Sequence, residues 1–489
     1  VFFNNKCFML DIKEIIAQLS EEEAKEFGKV LIESKAEKTA TLFKLLQEDG
    51  HSDKKILEIL SINSTAYYTL RSRLYDKLQD FMVQKIDGPR MDILEKVNNI
   101  DYIIFNYPTT QAFTILQKFE TELKKYDHPE YLLKVYNGLM RLSKGSEQYF
   151  HYSQLYNSNL TFLIDYEKAQ QLLGDFIRDM GAHLLSRNPD FIDRLHLIAE
   201  QVNELSQQYP DSARIYILYA IVSSHYQLYL GEEEQEVELE FIEDIVQKAT
   251  NILKSKKKDH FFGSLLLLFN YLNYRYYRKY GIRKKEEEYH GKVAAELLKF
   301  LNGYGFYAIP TRFLNGMLGR ALQRGEMGAL ELQNQKLLRQ YDIGPDDLVN
   351  YFNFKMHLAL SSFYRDRFDE THDHLNELRN NVSLKNYPHA DMELRLFLAI
   401  NYSITGELEM SNSLLKSINR KLKSIDYSEY ENLKILRKII QSSLRTPSRE
   451  RIRKALQLAD EYKRLNTGPY RLLDGLDLNE ELIKKMIRF

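Results

Sequence analysis

The feature that most constrains this chain is a register. Leu318-Gly319, Leu358-Ala359 and Leu398-Ala399 open three windows of equal length, and Leu338, Leu378 and Ile418 close them, giving a period of 40 residues. Each window reads as a helix, a short break near Gly325, Asp366 or Gly406, and a second helix. The repeating unit is therefore an αα-hairpin. Such a hairpin cannot bury its apolar face alone, so neighbours stack into an extended array whose common task is to hold another molecule. The expected fold class is all-α: an αα-hairpin superhelix preceded by a small N-terminal helical module.

The second window reads Leu358-Ala359-Leu360-Ser361-Ser362-Phe363-Tyr364 followed by Leu375 and Leu378. The third has Leu398-Ala399, Tyr402, Gly406, Ser411, Leu415 and Ile418. This pattern resembles the tetratricopeptide repeat, in which a Leu-small pair in the first helix packs on a small residue and an apolar residue in the second. It departs in having a longer period and in placing Glu331, Thr371 or Ser411 where the second helix carries its small residue. An irregular bundle of αα-hairpins is the alternative. The whole chain also looks like bacterial proteins that pair a small N-terminal helical module with a long tetratricopeptide-like array, a resemblance of layout that implies no activity.

Composition agrees with a helical reading. Ten prolines and 21 glycines in 489 residues are few, against usual shares of about 5% and about 7%, so long helices are expected, with helix well above roughly 60%. Sixty-eight basic and 69 acidic residues leave a net charge of −1, so no global field recruits nucleic acid or membrane. The single cysteine, Cys7, rules out an intramolecular disulfide framework and suits a reducing compartment. No run approaches the roughly 20 apolar residues of a membrane span, and the first ten residues lack the apolar core of an export signal. A cytoplasmic location is expected. The chain opens on Val1, and helical periodicity begins at Leu10, so Met9 is the expected start.

Four segments are expected. Residues 1–88 form the N-terminal module, closed by Gly88-Pro89, because Pro ends helices. Residues 89–209 carry helices at 93–107, 110–126, 131–142, 159–185 and 190–208 with no common register. Residues 210–468 hold the tetratricopeptide-like hairpins, beginning with helices at 213–229, 237–254, 260–280 and 286–301 and most regular at 311–423. Residues 469–489 form a C-terminal capping helix, since an end hairpin must shield its core.

Catalytic and metal motifs are missing: no phosphate loop, no H-E-x-x-H, no C-x-x-C, no nucleophile elbow. The reading is a chain without enzymatic activity, cofactor or metal. The two imidazoles of Thr371-His372-Asp373-His374 are two residues apart and point to different helix faces, so a solvated face is favoured over a metal site. Tyr271, Tyr274, Tyr276, Tyr277 and Tyr280 interleave with Arg275, Arg278, Lys279, Arg283, Lys284 and Lys285, the ingredients of single-strand nucleic-acid binding. Spacing of three also serves helix packing, with the cations as the wet face, and that reading is preferred.

Residues 52–81 carry the sharpest local signal. Ile56, Leu57, Leu60, Ile62, Tyr67 and Leu70 with Ser61 at the turn resemble the helix-turn-helix of transcription regulators, with Tyr68, Arg71 and Arg73 as candidate nucleic-acid contacts on the second helix. Leu57 replaces the family's small residue, Ser61 its glycine and Tyr67 a smaller β-branched residue. Seven basic against five acidic residues across 51–90 leave only +2, thin for a reader of phosphates.

The leading expectation is a scaffold that binds a protein or peptide partner in its concave groove. A DNA-binding regulator with a repeat sensor is the alternative, nucleic acid being the less favoured partner and membrane excluded. Positions two beyond the small residue of each first helix turn about 200° away from it. That points to a groove centred on Ser361 and Asn401, with Arg320 and Lys355 at its edge for acidic groups. Partner identity and oligomeric state are not legible.

Overall fold

The computed structural model describes residues 12, 16, 19, 21–34, 36–47, 53–85, 91–126, 128–231, 234–256, 260–422, 430–445, 448–467 and 470–487. Cys7 and the expected Gly88-Pro89 boundary lie outside them. The fold is all-α: helix makes up 81% in 24 helices, with no strand among the described residues.

The chain divides into two compact units, Val1–Thr161 and Phe162–Phe489. The first contains α1 (Glu21–Glu33), α2 (Glu37–Gln47), α3 (Asp53–Leu60), α4 (Ser64–Lys85), α5 (Met91–Asn98), α6 (Ile100–Asn106), α7 (Thr109–Tyr126), α8 (Pro129–Leu142) and the start of α9 (Gln148–Ser186). The second contains the rest of α9, then α10 (Asp190–Gln208), α11 (Ala213–Tyr229), α12 (Ile242–Ser255), α13 (His260–Lys279), α14 (Arg283–Ala295), α15 (Leu297–Gly303) and α16 (Arg312–Arg324). It continues with α17 (Met327–Gln340), α18 (Leu348–Phe363), α19 (Phe368–Asn381), α20 (Pro388–Thr405), α21 (Leu408–Leu422), α22 (Glu431–Ser443), α23 (Arg449–Leu465) and α24 (Glu480–Ile487). Many consecutive helices pack against each other.

Unit one holds two apolar clusters. One joins α1 to α4 around Phe27, Phe43 and Tyr67, and the other joins α5 to α9 around Val97, Leu116 and Val135. Between α3 and α4 the chain turns at Ser61, whose φ is 49°, with Ile62 N–H closing on Leu57 O at 3.2 Å. The α4 cap is Asn63, whose Oδ1 accepts Ala66 N–H at 2.8 Å. Tyr67 fills the space between the helices and donates its hydroxyl to Asp53 at 3.0 Å.

One continuous core runs from Tyr166 to Ile487 through unit two, unbroken at 209–210. Its spine is three helices buried nearly all round, α11, α18 and α20, as expected for helices apolar on every face. Polar capping starts two of them near it: Ser212 Oγ accepts Ile215 N–H ahead of α11, and Asp347 accepts Asn350 N–H ahead of α18. The three expected hairpin breaks all adopt left-handed backbone, with φ of 69° at Gly325, 58° at Asp366 and 90° at Gly406. Glycine reaches that region freely and Asp more easily than most residues.

Hydroxyls explain the departures in the second helices. Thr371 Oγ1 bonds Ala359 O at 3.4 Å and Ser362 Oγ at 3.0 Å, and Ser411 Oγ, 40 residues on, bonds Ala399 O at 3.0 Å and Ser403 Oγ at 3.1 Å. Ser443 Oγ extends the chain of hydroxyls by donating to Ser403 Oγ at 2.9 Å. Glu331, in the first window, instead reaches Arg365 at 2.8 Å and Arg367 at 3.3 Å.

The first window also shifts its small residue. A methyl on Gly319 would meet nothing within 4 Å, whereas one on Gly316 would fall 2.0 Å from Tyr274 Oη and 2.8 Å from Arg278 Nη1. Those two atoms bond each other at 2.8 Å. Gly316→Ala should therefore lose about 1–3 kcal/mol by overpacking, while Gly319→Ala should gain about 0.5–1 kcal/mol by helix propensity. Urea midpoints of the two variants check the opposite signs.

Candidate functional site

The four expected groove residues are not gathered on an open surface. Ser361 is 2% exposed and donates to His357 O at 2.8 Å; Asn401 is 1% exposed and donates to Phe368 O at 3.0 Å. Lys355 is buried against Glu377 at 2.6 Å, and Arg320 pairs with Glu287 at 3.3 Å. The groove expected at Ser361 and Asn401 is thus corrected. The rotation argument presumed one free face, and α18 and α20 leave none there.

The helix-turn-helix candidates also divide. Tyr68 is exposed and Arg71 half-buried, three residues apart on one side of α4. Arg73 lies on another side, lining a shallow hollow with Lys38, Asn63, Thr65, Ala66, Thr69 and Leu70. Tyr271, Tyr274, Tyr276 and Tyr277 are buried and serve packing, while Arg275 turns inward to Leu228 O at 3.2 Å and His225 Nδ1 at 3.3 Å. His372 meets the Tyr402 hydroxyl at 2.9 Å. No cluster of three metal-ligating side chains occurs among the described residues, and no helix there is long and apolar enough to cross a membrane.

A surface that sequence reasoning missed is built by the helices that open successive hairpins. Residues 470–478, an irregular segment between α23 and α24, contact α22, α20 and the end of α18 in turn. A side chain on Gly475 would lie 2.8 Å from Leu360 Cδ1 and 3.7 Å from Leu318 Cδ2. The Tyr364 hydroxyl, at the end of α18, donates to Gly475 O at 2.7 Å and accepts from Asp477 N–H at 2.8 Å. Glu393 on α20 accepts Leu473 N–H at 2.7 Å, and Asn432 on α22 donates to Tyr470 O at 2.8 Å. From α23, Tyr462 donates to Leu472 O at 2.7 Å.

Leu472, Leu473 and Leu478 are buried. Five such main-chain bonds at about 1 kcal/mol each and three leucines at about 1.5–3 kcal/mol each hold the segment by roughly 10 kcal/mol gross. Beyond it, α24 packs on α20, α22 and α23.

The electrostatics at the segment's centre are unusual. Burial pushes the Glu393 carboxyl up to about 7, against the Leu473 N–H and the positive charge of Arg187, which pull it down. Burial, with help from Arg187, holds the neighbouring His389 well below the usual imidazole range. Its Nδ1 meets the Tyr430 hydroxyl at 3.0 Å, and the Tyr430 ring packs on Tyr470 at 5.0 Å.

The protein is thus an all-helical assembly of consecutively packed helices whose second unit presents one surface to an irregular segment of its own chain. No protein-family model matches the sequence, no curated protein is similar to it, and no solved structure matches the fold.

Because Glu393 binds its proton more tightly folded than unfolded, its contribution is full below about 4.5 and is lost as pH rises to about 7. Glu393→Gln keeps an acceptor for Leu473 N–H and removes the titration. The stability of wild type relative to this variant should fall by on the order of 3 kcal/mol across that window and stay level above it. Paired urea titrations at pH 4.5, 6 and 8 measure it, the histidines other than His389, whose Nε2 lies 3.9 Å from Glu393, cancelling between the two proteins.

Proposed function

We propose that the chain is a non-enzymatic, cytoplasmic helical-repeat scaffold, a tetratricopeptide-like superhelix in its second unit, that binds an irregular segment of a protein or peptide partner. The observation that carries this reading is the seating of 470–478 by side-chain bonds to its main chain. Main-chain recognition tolerates many sequences, and extended surfaces of stacked helix pairs commonly serve as binding faces. A partner segment exchanges with 470–478, making like contacts in its place, against the high effective concentration of a tethered competitor.

Gly475→Leu forces the segment away from Leu360 and tests the reading. Affinity capture followed by mass spectrometry should recover a partner more strongly with this variant than with wild type, at equal helix content. Identical capture by the two proteins would place any partner elsewhere.

A second reading, a DNA-binding regulator, is favoured by one observation. Ser61 takes a left-handed φ of 49° at the position where the resembling motif has glycine. The second helix of such motifs enters the major groove. On this reading Arg71→Ala with Arg73→Ala abolishes duplex binding, or lowers its salt slope by about one unit per lost phosphate contact. A fluorescence anisotropy titration of the intact protein showing no duplex affinity at low salt would end it.

A further inference from the structure

Three arginines of the second unit converge on one tyrosine. Tyr229 ends α11, and its electrostatic surroundings include Arg187, Arg312 and Arg275. Arg187 follows α9, Arg275 sits on α13, and Arg312 begins α16. The Arg312 guanidinium lies 5.8 Å from the Tyr229 ring centre. The Tyr229 hydroxyl meets His183 Nδ1 at 2.6 Å, and His183, one turn before Arg187, takes the Arg187 N–H on its carbonyl at 2.8 Å. Arg275 reaches Leu228 O at 3.2 Å and His225 Nδ1 at 3.3 Å. The far nitrogen of His225 is held by Tyr307 O at 3.0 Å.

These cations lack counter-charges. None of the three makes an ion pair among the described residues. Arg187 Nε and Arg312 Nη1 are shielded from solvent and bond to nothing. The carboxylates that act on this cluster are Glu393, felt with Arg187, and Glu234, whose Oε2 already accepts Gly231 N–H at 2.8 Å. Each of the three arginines nevertheless keeps part of its surface open. Burial, with repulsion from Arg312 opposing help from the tyrosines, lowers Arg275 to about 10, which leaves it charged at neutral pH. The two histidines are held neutral there, His183 at about 4 and His225 at about 3, by burial and the neighbouring arginines.

A cation without a counter-charge is costly where its donors are shielded from water, as Arg187 Nε and Arg312 Nη1 are. Three held together, with donors already shielded from water, form a destabilising arrangement that a bound anion would offset. The Arg187 backbone adds to the cost, since its φ of 57° is left-handed for a residue with a side chain. Strain and unpaired donors at one place mark a binding site rather than a packing solution. Three guanidinium forks exceed what a single carboxylate neutralises and match the several acceptor oxygens and double charge of a phosphate group. We propose that Arg187, Arg275, Arg312 and Tyr229 line a recess that binds a phosphate group, free or on a small organic ester. Arg187 is felt at Glu393, which holds Leu473 N–H, but the phosphate proposal does not depend on the scaffold reading.

Isothermal calorimetry and thermal unfolding of the full chain are run with inorganic phosphate, pyrophosphate and adenosine monophosphate, each against sodium chloride of equal ionic strength. Wild type should bind at least one of them saturably and melt at a higher temperature with it. Tightest binding of inorganic phosphate identifies the free ion, and tightest binding of the nucleotide identifies an ester; either supports the site. Arg312→Gln and Arg187→Gln should each weaken binding at least tenfold, yet melt no lower than wild type without ligand, because each removes one of three repelling charges. Arg320→Gln, in a separate pair with Glu287, should bind as wild type does. Absence of saturable binding to wild type overturns the proposal without recourse to any variant. So does binding within twofold of wild type by whichever recess variant folds.

Discussion

Close approach of helix backbones at Ala359 and Ala399 is the contact on which the middle of the second unit depends. Both residues are fully buried, and each offers its carbonyl to a hydroxyl from the following helix. A larger side chain at either place would push the partner helix beyond hydroxyl reach. The small residue thus sets the distance and the hydroxyl fixes the orientation. The hairpin then closes because the break between its helices can turn left-handed, at Gly325, Asp366 and Gly406. Once α18 and α20 are clasped this way from both sides, every face of them is interior. Even Ser361, His357 and Asn401 must then find partners inside the protein.

This is why the hairpins were legible in the sequence and the groove was not. Period, small residue and break are local and chemically restrictive, so they leave a mark on the chain. Which face stays open depends on what packs from both sides, and no single helix carries that information. The apolar run of α18, with Phe352, Phe354, Met356, Leu358, Leu360 and Phe363, was the available sign that no face was free. The contacts of 470–478 include pairs more than a hundred positions apart, Tyr364 with Gly475 and with Asp477, and no periodicity announces them.

Helix limits failed for equally physical reasons. The helix expected from 237 begins at Ile242, because Tyr226 and Tyr219 hydroxyls capture the N–H groups of Glu236, Val237 and Glu240 and hold that stretch irregular. Two expected single helices each break at one residue of altered backbone, Asn99 and Glu296. α9 starts at Gln148, eleven residues before the expected 159, through a stretch that leaves Phe150 exposed and so shows little amphipathic signal. Arg275 did leave a sign that was passed over. It follows Leu268 and Leu272 on the buried side of α13, and a cation on an apolar stripe is seldom part of a wet face.

The end of the chain ties stability to the surface it covers. Here α24 packs on α20, α22 and α23, and its apolar side, Leu482, Ile483, Met486 and Ile487, is buried. Lys485 anchors it to Asp366, the left-handed break of an earlier hairpin, at 2.7 Å. To bring α24 there from the end of α23, the chain must cross the opening helices, and 470–478 is that crossing. The leucines that it buries and the main-chain bonds that it makes hold the crossing in place, and any other occupant of the same surface must match them. Glu393 sits at the middle of the crossing with a carboxyl near neutrality. The point where the segment is held through a charge-sensitive acceptor is thus also the point at which its hold responds most readily to surroundings.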